Sequence, residues 1–321
     1  MTAYYLSFGC KVNQYETNAL RGMLSQEGIQ PVEQPEDADL ILVNSCTVTA
    51  SSDRKVRHAL RSLRSRCPKA KIVLTGCLPQ AHPDAAQLCP EADLITGTKD
   101  RAALIQRIRQ LMESAVPWDG VTPYTPGEGY ELLPPAENAD RTRAFIKIQD
   151  GCNQFCSYCI IPYARGRCRS KPREALAQEA AQMAQAGCRE AVLIGINLAF
   201  YGMEWQGDLG DAVDICCAVP GIDRVRLGSL EPEKLSDDLL RRLAAHPQFC
   251  PQFHLSLQSG CDRTLRAMNR HYTTAEYADL AARIRRIFPD AALTTDVMVG
   301  FPGETEADFA RSREFVREMG F

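Results

Sequence analysis

The sequence has no long apolar run. Its longest purely aliphatic stretch, residues 40–43, falls far short of the about 20 apolar residues that a membrane-spanning helix requires. The first residues also lack a basic segment followed by an apolar stretch, which is the pattern of a secretory signal peptide. We therefore expect neither a membrane protein nor an exported one, and we expect a cytoplasmic location.

No single sign of charge dominates the chain either. The 37 Lys and Arg residues against 40 Asp and Glu residues give a formal net charge of −3. Such a balance excludes no partner, because a local basic patch can bind nucleic acid on a neutral protein. The length of 321 residues, 45% of them apolar, predicts about two globular domains.

Cysteine, by contrast, is abundant. The chain has 14 cysteines and no export signal, and the cytosol keeps thiols reduced, so disulfides are not expected. The composition favours metal-binding or catalytic thiolates wherever the spacing of the cysteines is regular.

Residues 1–115 alternate between candidate strands and candidate helices. The strands are 3–8, 39–44, 71–75 and 93–95, and the helices are 15–25, 52–66 and 100–113. Such an alternation predicts an α/β domain with an open parallel sheet that is covered on both faces. Residues 116–140 contain five prolines and little apolar periodicity, which predicts a linker.

The alternation resumes with a longer period over residues 141–321. Candidate strands are 144–149, 191–196, 224–229, 253–257 and 293–299. Five strand–helix units predict a barrel-like or an open α/β domain, and we expect a partial (β/α) barrel. The chain stops just after a helix, where the next strand would begin, and we expect this domain to be truncated at its C-terminus.

Three cysteines follow the first of these strands in a C-x3-C-x2-C run, Cys152, Cys156 and Cys159, here called the compact triad. Thiolates this close in sequence converge only if the backbone wraps around one centre. A structural zinc site takes four ligands, usually from two C-x2-C pairs, and no second pair lies nearby. A [4Fe–4S] cluster also takes four thiolates, so three would leave one iron open to another ligand, which suits catalysis. Three buried cysteines that act as small apolar side chains are the alternative.

A second set, here called the dispersed triad, consists of Cys10, Cys46 and Cys77, each just beyond a predicted strand. The carboxyl ends of strands in an open parallel sheet line one crevice, so we expect the three thiols to meet there. The helices that follow would point their positive N-termini at an anionic thiolate site. A second metal cluster and scattered core cysteines are both compatible with this pattern.

The other eight cysteines share no spacing, and we expect most of them to be buried or idle thiols. Cys168, close in sequence to the compact triad, is the exception. The eight are Cys67, Cys89, Cys168, Cys188, Cys216, Cys217, Cys250 and Cys261.

Several motifs along the chain resemble one known family. C-x3-C-x2-C is the signature of radical S-adenosylmethionine (SAM) proteins, and RAFIKIQDGCNQFCSYCIIPYARGR is similar to the matching segment of the methylthiotransferases. GCKVNQYET, NSCTVT and TGC resemble that family's N-terminal pattern around the dispersed triad. HLSLQSGCDRTLRAMNRHYT and DVMVGFPGET are also family-like, so the resemblance covers nearly the whole chain.

Within that family, GCKVNQYET, GINLAFYG and SLEP resemble the branch that modifies threonylcarbamoyladenosine in tRNA. After the first cysteine, the isopentenyladenosine branch tends to have Gln-Met-Asn, and the branch that modifies a ribosomal-protein aspartate tends to have Pro-Lys-Asn. This sequence has Lys11-Val12-Asn13 there. The resemblance implies insertion of sulfur and addition of a methyl group at carbon 2 of threonylcarbamoyladenosine, next to the anticodon.

The resemblance also implies two [4Fe–4S] clusters and SAM as cofactors. The compact triad would hold the cluster whose open iron binds SAM and cleaves it to a radical, because hydrogen abstraction from an unactivated carbon is beyond ordinary acid–base groups. The dispersed triad would hold an auxiliary cluster that carries the sulfur, and a second SAM would supply the methyl group. The implied partners are the anticodon stem-loop of tRNA and a reducing electron donor.

Further SAM contacts are implied at the ends of barrel strands, where functional residues tend to lie. A turn, capping or packing role is the alternative for each of these residues. The candidates are Tyr158, Gly195, Asn197, Glu231, Ser256 and Gln258.

Two basic groups are candidates for contact with substrate. The first lies on one face of a predicted helix, which is either a solvated surface or a contact for the anticodon stem: Arg54, Arg57, Arg61 and Arg64. The second directly follows the compact triad, which favours contact with substrate or SAM: Arg165, Arg167, Arg169, Lys171 and Arg173.

Other functions are compatible with parts of this pattern. The nearest is the same chemistry on isopentenyladenosine tRNA or on a ribosomal-protein aspartate. A more remote one is a zinc-binding RNA module without catalysis, which sets of three cysteines disfavour. Members of the family carry a further small C-terminal β-domain that helps to bind tRNA, and this chain ends before it, so we expect a fragment.

Overall fold

The computed structural model describes residues 1–114, 120–135 and 142–321. The chain divides into two compact units, Met1–Glu137 with Ile160–Gly166, and Asn138–Cys159 with Arg167–Phe321. The segment Ile160–Gly166, directly after the compact triad, therefore packs with the first unit. Of the predicted linker at 116–140, residues 120–135 contain no helix or strand, and the remainder lies outside the described residues.

A parallel sheet forms the centre of the first unit. Its strands are β1 (Thr2–Ser7), β2 (Gln30–Pro31), β3 (Leu40–Ser45), β4 (Lys71–Gly76) and β5 (Leu94–Ile95). Their order across the sheet is β2-β1-β3-β4-β5, and each neighbouring pair is parallel. The predicted open parallel sheet is thereby confirmed. The two-residue edge strand β2 was not predicted, because it is too short to show a period.

Helices cover both faces of this sheet. They are α1 (Lys11–Gln26), α2 (Ala50–Arg66), α3 (Cys77–Ala81), α4 (Ala85–Leu88), α5 (Arg101–Glu113) and, from the later segment, α6 (Ile161–Arg165). Alternate residues of β3 point to opposite faces. Leu40 and Leu42 pack with apolar residues of α1 and α5, whereas Ile41 and Val43 pack with those of α2. This is why β3 is buried along its whole length.

The second unit contains two parallel three-stranded sheets and a short antiparallel pair of strands. Its strands are β6 (Arg143–Lys147), β7 (Gln149–Asp150), β8 (Arg169–Ser170), β9 (Glu190–Ile194), β10 (Arg224–Leu227), β11 (Ser229–Leu230), β12 (Gln252–Leu255) and β13 (Ala292–Thr294). The sheets have the orders β10-β9-β6 and β11-β12-β13, so parallel strands succeed one another in chain order, as in a (β/α) barrel. The predicted partial barrel is thus confirmed. Gly228 divides the predicted strand 224–229 into β10 and β11. The antiparallel pairing of β7 with β8 was not predicted.

Helices alternate with these strands and bury their apolar faces in one core. They are α7 (Arg173–Gln185), α8 (Leu209–Cys217), α9 (Asp237–Ala244), α10 (Asp262–Ala267), α11 (Thr274–Ile287) and α12 (Glu306–Met319). Ser236 caps α9, because its Oγ accepts a hydrogen bond from the Leu239 amide at 3.1 Å. No helix in the described residues is both long enough and apolar enough to cross a membrane.

Candidate metal centres

The dispersed triad lies at the carboxyl ends of three adjacent strands. Cys10 follows β1 and immediately precedes α1, Cys46 directly follows β3, and Cys77 is the first residue of α3 after β4. Because β1, β3 and β4 are neighbours in a parallel sheet, the three cysteines reach the same edge of it. Helices begin directly at Cys10 and Cys77, whereas α2 begins only after Thr49.

Two glycines allow the loops of this triad to approach one another closely. Gly9 has φ +102°, and a Cβ atom there would lie 2.8 Å from the Cβ of Cys46. Gly76 has φ +101°, and a Cβ atom there would lie 2.4 Å from the Oδ1 of Asn44. A side chain at either position would therefore push apart the backbone segments that present the thiols.

Buried amides connect these same loops. The Sγ of Cys10 donates to the Oδ1 of Asn13 at 3.3 Å, and the Nδ2 of Asn13 donates to the Ser45 carbonyl at 2.8 Å. The amide of Leu78 donates to the Oγ of Ser45 at 3.2 Å. The loop after each of the three strands is thus held by a hydrogen bond to another of them.

The guanidinium of Arg165, at the end of α6, lies beside the dispersed triad. Its Nε is 3.3 Å from the Sγ of Cys77, and its two Nη atoms donate to the two carboxylate oxygens of Glu16 at 2.5 and 3.0 Å. Burial raises the pKa of the Cys77 thiol to about 11, and the positive charge of Arg165 opposes that rise. Sequence reasoning assigned Arg165 to a substrate-binding or SAM-binding basic group, and the structure corrects this.

The compact triad lies in a loop directly after β7. The amide of Cys159 donates to the Cys156 carbonyl at 2.9 Å, which closes a turn between these two cysteines. Residues after α10 hold the loop from outside: the amide of Ser157 donates to the Met268 carbonyl at 3.0 Å, and the Nδ2 of Asn269 donates to the Phe155 carbonyl at 3.0 Å. These hydrogen bonds fix the backbone that carries the three cysteines.

Predicted cofactor residues stand next to two of these thiols. The Nδ2 of Asn197 lies 3.5 Å from the Sγ of Cys152, and the Oδ1 of the same buried side chain has no hydrogen-bond partner. Glu231 pairs with Arg270, whose Nη1 donates to the Sγ of Cys156 at 3.2 Å. Burial raises the pKa values of Cys152 and Glu231, and Arg270 opposes the rise at Glu231.

Sequence reasoning missed Arg270, which is 9% exposed, although it lies within one of the family-like motifs. The same motif contains Arg263 and Arg266, which are exposed, and nothing in the sequence distinguishes the buried Arg270 from them. Both triads therefore have a buried arginine that donates to one cysteine sulfur and pairs with a glutamate.

The remaining cofactor candidates show mainly structural contacts. A Cβ atom at Gly195 would lie 2.9 Å from the Cβ of Gln149, so this glycine allows close packing after β9. The hydroxyl of Tyr272 donates to the Ser256 carbonyl at 2.7 Å, and Gln258 has φ +66° after β12. The ring of Tyr158 is half-buried and makes an edge contact with Phe301 at 6.2 Å between centroids.

The basic group after the compact triad is largely buried in ion pairs. Arg169 lies 3.5 Å from Asp150, and Lys171 pairs with the carboxylate of Glu179. Arg173 pairs with Asp211, and Arg167 stacks over the ring of Phe155. Arg165, Arg169 and Lys171 are thus buried and serve the fold, whereas contact with substrate or SAM by the exposed Arg167 and Arg173 stays a prediction.

In the first basic group, α2 divides the four arginines. Arg64 pairs with Asp93 at 2.5 Å and also donates to two backbone carbonyls, and Arg61 lies 3.4 Å from Glu91. Arg54 is exposed and Arg57 is partly exposed. Of these four arginines, Arg61 and Arg64 thus form ion pairs with Glu91 and Asp93, and Arg54 and Arg57 lie outside these pairs.

The other cysteines are free thiols, as expected. Cys67, Cys89, Cys188, Cys216 and Cys261 are buried, and the remaining three are partly exposed. Burial raises the pKa of Cys168 to about 12, although its thiol lies near Cys152.

The donor sets suit iron–sulfur clusters better than single ions. No group of three or more Cys, His, Asp or Glu side chains in residues 1–114, 120–135 and 142–321 is spaced to hold one metal ion. Zinc holds its sulfur ligands at about 2.3 Å, whereas a [4Fe–4S] cluster binds each sulfur through a different iron, so its thiolates stand farther apart. Three thiols per site and a buried arginine at each, which offsets negative charge, fit such a cluster.

Comparison with protein families gives the class. Residues 146–316 match the model described as "Radical SAM superfamily", and residues 2–97 match the one described as "Uncharacterized protein family UPF0004". A solved radical SAM methyltransferase from Kitasatospora setae, with cobalamin and a [4Fe–4S] cluster bound, is similar with a TM-score of 0.70 at 14% identity. The similarity covers 99% of this chain and 73% of that one. At this identity it shows the fold: a radical SAM domain preceded by an α/β domain.

Curated relatives narrow the class further. The chain is 38% identical to a threonylcarbamoyladenosine tRNA methylthiotransferase of Thermotoga maritima, over 98% of this chain and 71% of the relative. It is 36% identical to the protein of that name from Bacillus subtilis, over 100% and 71%. It is also 38% identical to a tRNA-2-methylthio-N(6)-dimethylallyladenosine synthase of Pelotomaculum thermopropionicum, over 98% and 72%. The chain belongs to the radical SAM methylthiotransferase family, whose cofactors are SAM and [4Fe–4S] clusters.

Proposed function

We propose that this protein is a tRNA methylthiotransferase that places a methylthio group on carbon 2 of threonylcarbamoyladenosine next to the anticodon. The observation that carries the proposal is the pair of cysteine triads, each at strand ends in its own unit, in a chain of this family. Relatives that bear the threonylcarbamoyladenosine name support this substrate. In this assignment residues 1–115 are the auxiliary-cluster domain, 116–140 the linker and 141–321 the radical SAM domain.

The compact triad would hold the SAM-binding cluster. When bound, the cofactors supply a carbon-centred radical for hydrogen abstraction, the sulfur atom and the methyl group. The chain's own residues hold the thiols in place: Asn269 fixes the loop, Arg270 donates to Cys156, and Asn197 donates toward Cys152. We assign SAM contacts to Tyr158, Gly195, Asn197, Glu231, Ser256 and Gln258.

The dispersed triad would hold the auxiliary cluster. Cys46 and Cys77 are 6% and 2% exposed, whereas Cys10 is exposed. A cluster held there by three thiolates keeps one iron for another ligand, and the exposed side at Cys10 gives that ligand access. The fixed loops exclude water from the other two sulfurs.

For the macromolecular partner, the proposal takes the anticodon stem-loop of tRNA. The exposed Arg54 and the partly exposed Arg57 are the arginines of α2 that remain available for phosphate contact. A reducing electron donor is required as a second partner, and both partners place the reaction in the cytoplasm.

Product analysis tests the proposal. Anaerobically reconstituted protein is given SAM, a strong reductant, a sulfide source and tRNA that contains threonylcarbamoyladenosine, and the digested nucleosides are analysed by mass spectrometry. We expect the methylthio derivative of that nucleoside, and none from a matched tRNA that contains isopentenyladenosine. Cys46→Ala should abolish the product, whereas Cys89→Ala, also buried in the first unit, should not.

The result discriminates between the two tRNA substrates, since a dimethylallyladenosine synthase is as similar in sequence as the threonylcarbamoyladenosine enzymes. A methylthio group on isopentenyladenosine alone would replace the proposed substrate. No methylthio product on either tRNA, with both clusters loaded, would refute the proposal.

A further inference from the structure

Three charged side chains are buried together beside the dispersed triad. Arg165, Glu16 and Arg101 have side-chain exposures of 0%, 1% and 1%. Glu16 accepts two hydrogen bonds from Arg165, and its Oε2 also lies 3.2 Å from the Nη2 of Arg101. Burial of charge is costly unless the charges are paired and hydrogen-bonded. Burial of these charges next to a cysteine sulfur therefore indicates that the charge acts on that sulfur.

The orientation of Arg165 is fully determined by its partners. Both Nη atoms are occupied by Glu16, and Nη2 also donates to the Oδ1 of Asn13 at 3.2 Å. The Nε of Arg165 donates to the Sγ of Cys77 at 3.3 Å. Asn13 in turn accepts from the thiol of Cys10. Arg165 is thus one hydrogen bond from Cys77 and two from Cys10.

The charges around this guanidinium leave a positive excess at the sulfur. Two arginines share one fully buried carboxylate, and the carboxylate of the partly exposed Glu131 lies 4.0 Å from Arg101. In a low-dielectric interior, a positive charge and a hydrogen bond to a ligand sulfur both favour the more negative, reduced state of a bound cluster.

We infer that Arg165 is a positioning residue for the dispersed triad, which fixes the Cys77 sulfur and raises the reduction potential of the cluster bound there. Glu16 orients the arginine and, through its negative charge, lowers that potential. The inference rests on the proposed assignment of the dispersed triad as cluster ligands. It extends that assignment to two residues that bind no iron themselves.

The test measures one cluster in isolation. The parent is full-length protein with Cys152→Ala, Cys156→Ala and Cys159→Ala, which retains the dispersed triad alone. Its midpoint potential is determined by reductive titration followed by electron paramagnetic resonance. The same measurement is made on Arg165→Met, Arg165→Lys and Glu16→Gln in this background. Arg64→Gln, which removes an arginine paired with Asp93 instead of a cysteine, is the matched control.

Opposite shifts are expected. Arg165→Met should lower the potential, Arg165→Lys should lower it less, Glu16→Gln should raise it, and Arg64→Gln should leave it unchanged. If the ion pair had a purely structural role, the midpoint potentials of Arg165→Met and Glu16→Gln would shift in the same direction or not at all. Either result overturns the inference.

Iron content separates this inference from its premise. A parent that holds about four irons per chain, one [4Fe–4S] cluster, supports the assignment whatever the potentials show. A parent without iron overturns both. If Arg165→Met fails to fold or to bind iron, Glu16→Gln and Arg165→Lys decide, and unchanged potentials in both overturn the inference.

Discussion

At the scale of single residues, glycine controls how closely the loops of the dispersed triad approach. Gly76 has both a positive φ and no room for a Cβ atom, because Asn44 and Ser45 lie within 2.7 Å of that position. Gly28, after α1, also has a positive φ of +79° but open space around it. Gly76 therefore combines glycine-only backbone geometry with steric exclusion, whereas Gly28 has a positive φ alone.

We predict that Gly76→Ala destabilises the protein more than Gly28→Ala. Gly28→Ala should cost about 1 kcal/mol from the strain of a positive φ, whereas Gly76, at φ +101° and ψ −155°, lies in a region that only glycine readily adopts and also has no room for a Cβ atom. Urea unfolding of the two variants measures the difference, and Gly76→Ala should also lose iron from the dispersed triad. Equal losses of stability would mean that the loops around Cys77 yield easily.

Single residues also mark the limit of sequence reasoning. The positions of all six triad cysteines follow from strand ends and spacing, because a parallel sheet brings its carboxyl ends together. Arg165 and Arg270 could not be found in this way. In the run from Arg165 to Arg173 every second residue is basic. Only tertiary packing shows that Arg165, at the end of α6, belongs to the first unit, whereas Arg169 and Lys171 are buried in the second.

At the scale of elements, the loop of the compact triad depends on the end of α10. Asn269 has φ +56° and donates from its amide to the Phe155 carbonyl at 3.0 Å and the Gln154 carbonyl at 3.4 Å. Glycine at this position would keep the left-handed backbone and remove the amide, whereas alanine would remove the amide and strain the backbone.

We predict that Asn269→Gly accelerates loss of the cluster from the compact triad. In protein with Cys10→Ala, Cys46→Ala and Cys77→Ala, the rate of bleaching under a chelator should rise about three- to tenfold, as expected for a lost hydrogen bond of about 1 kcal/mol. Asn269→Ala should bleach faster still. An unchanged rate in both variants would show that α10 does not hold the loop.

The elements themselves were predicted where they are long. The strands around residues 40, 71 and 190 contain apolar runs, and the sequence also predicted the long helices α2 and α5. The two-residue strands β2, β7 and β8 and the short helices α3 and α4 show none, because fewer than about six residues complete too few periods to be recognised. The antiparallel pair of β7 and β8, which places the compact triad directly after β7, could therefore not be predicted from the sequence.

At the scale of the whole molecule, the prediction is the number of clusters. Protein reconstituted without oxygen should contain about eight irons and eight sulfides per chain, for two [4Fe–4S] clusters. Replacement of either triad by alanine should reduce both values to about four. Elemental analysis and sulfide assays on wild type and the two triple variants measure this.

Three other results are possible in that experiment. About four irons, falling to none without the compact triad, would show that the dispersed triad binds no cluster and would make methylthiolation untenable. Zinc in place of iron would overturn the assignment of both triads. Triple replacement of Cys188, Cys216 and Cys250, which have no proposed ligand role, should leave the iron content unchanged.

The placement of Ile160–Gly166 in the first unit has a consequence for heredity. Arg165, which contacts Cys77, is encoded next to the compact triad, 70 codons after the end of the gene segment for β1 to β5. Recombination that joins the front of one homologous gene to the back of another would combine one parent's Cys77 with the other parent's residue at 165. Such a hybrid keeps these contacts only where the parent of the back part encodes an arginine at 165 and the parent of the front part encodes Glu16 and Cys77, so the two parts of the gene are constrained to evolve together.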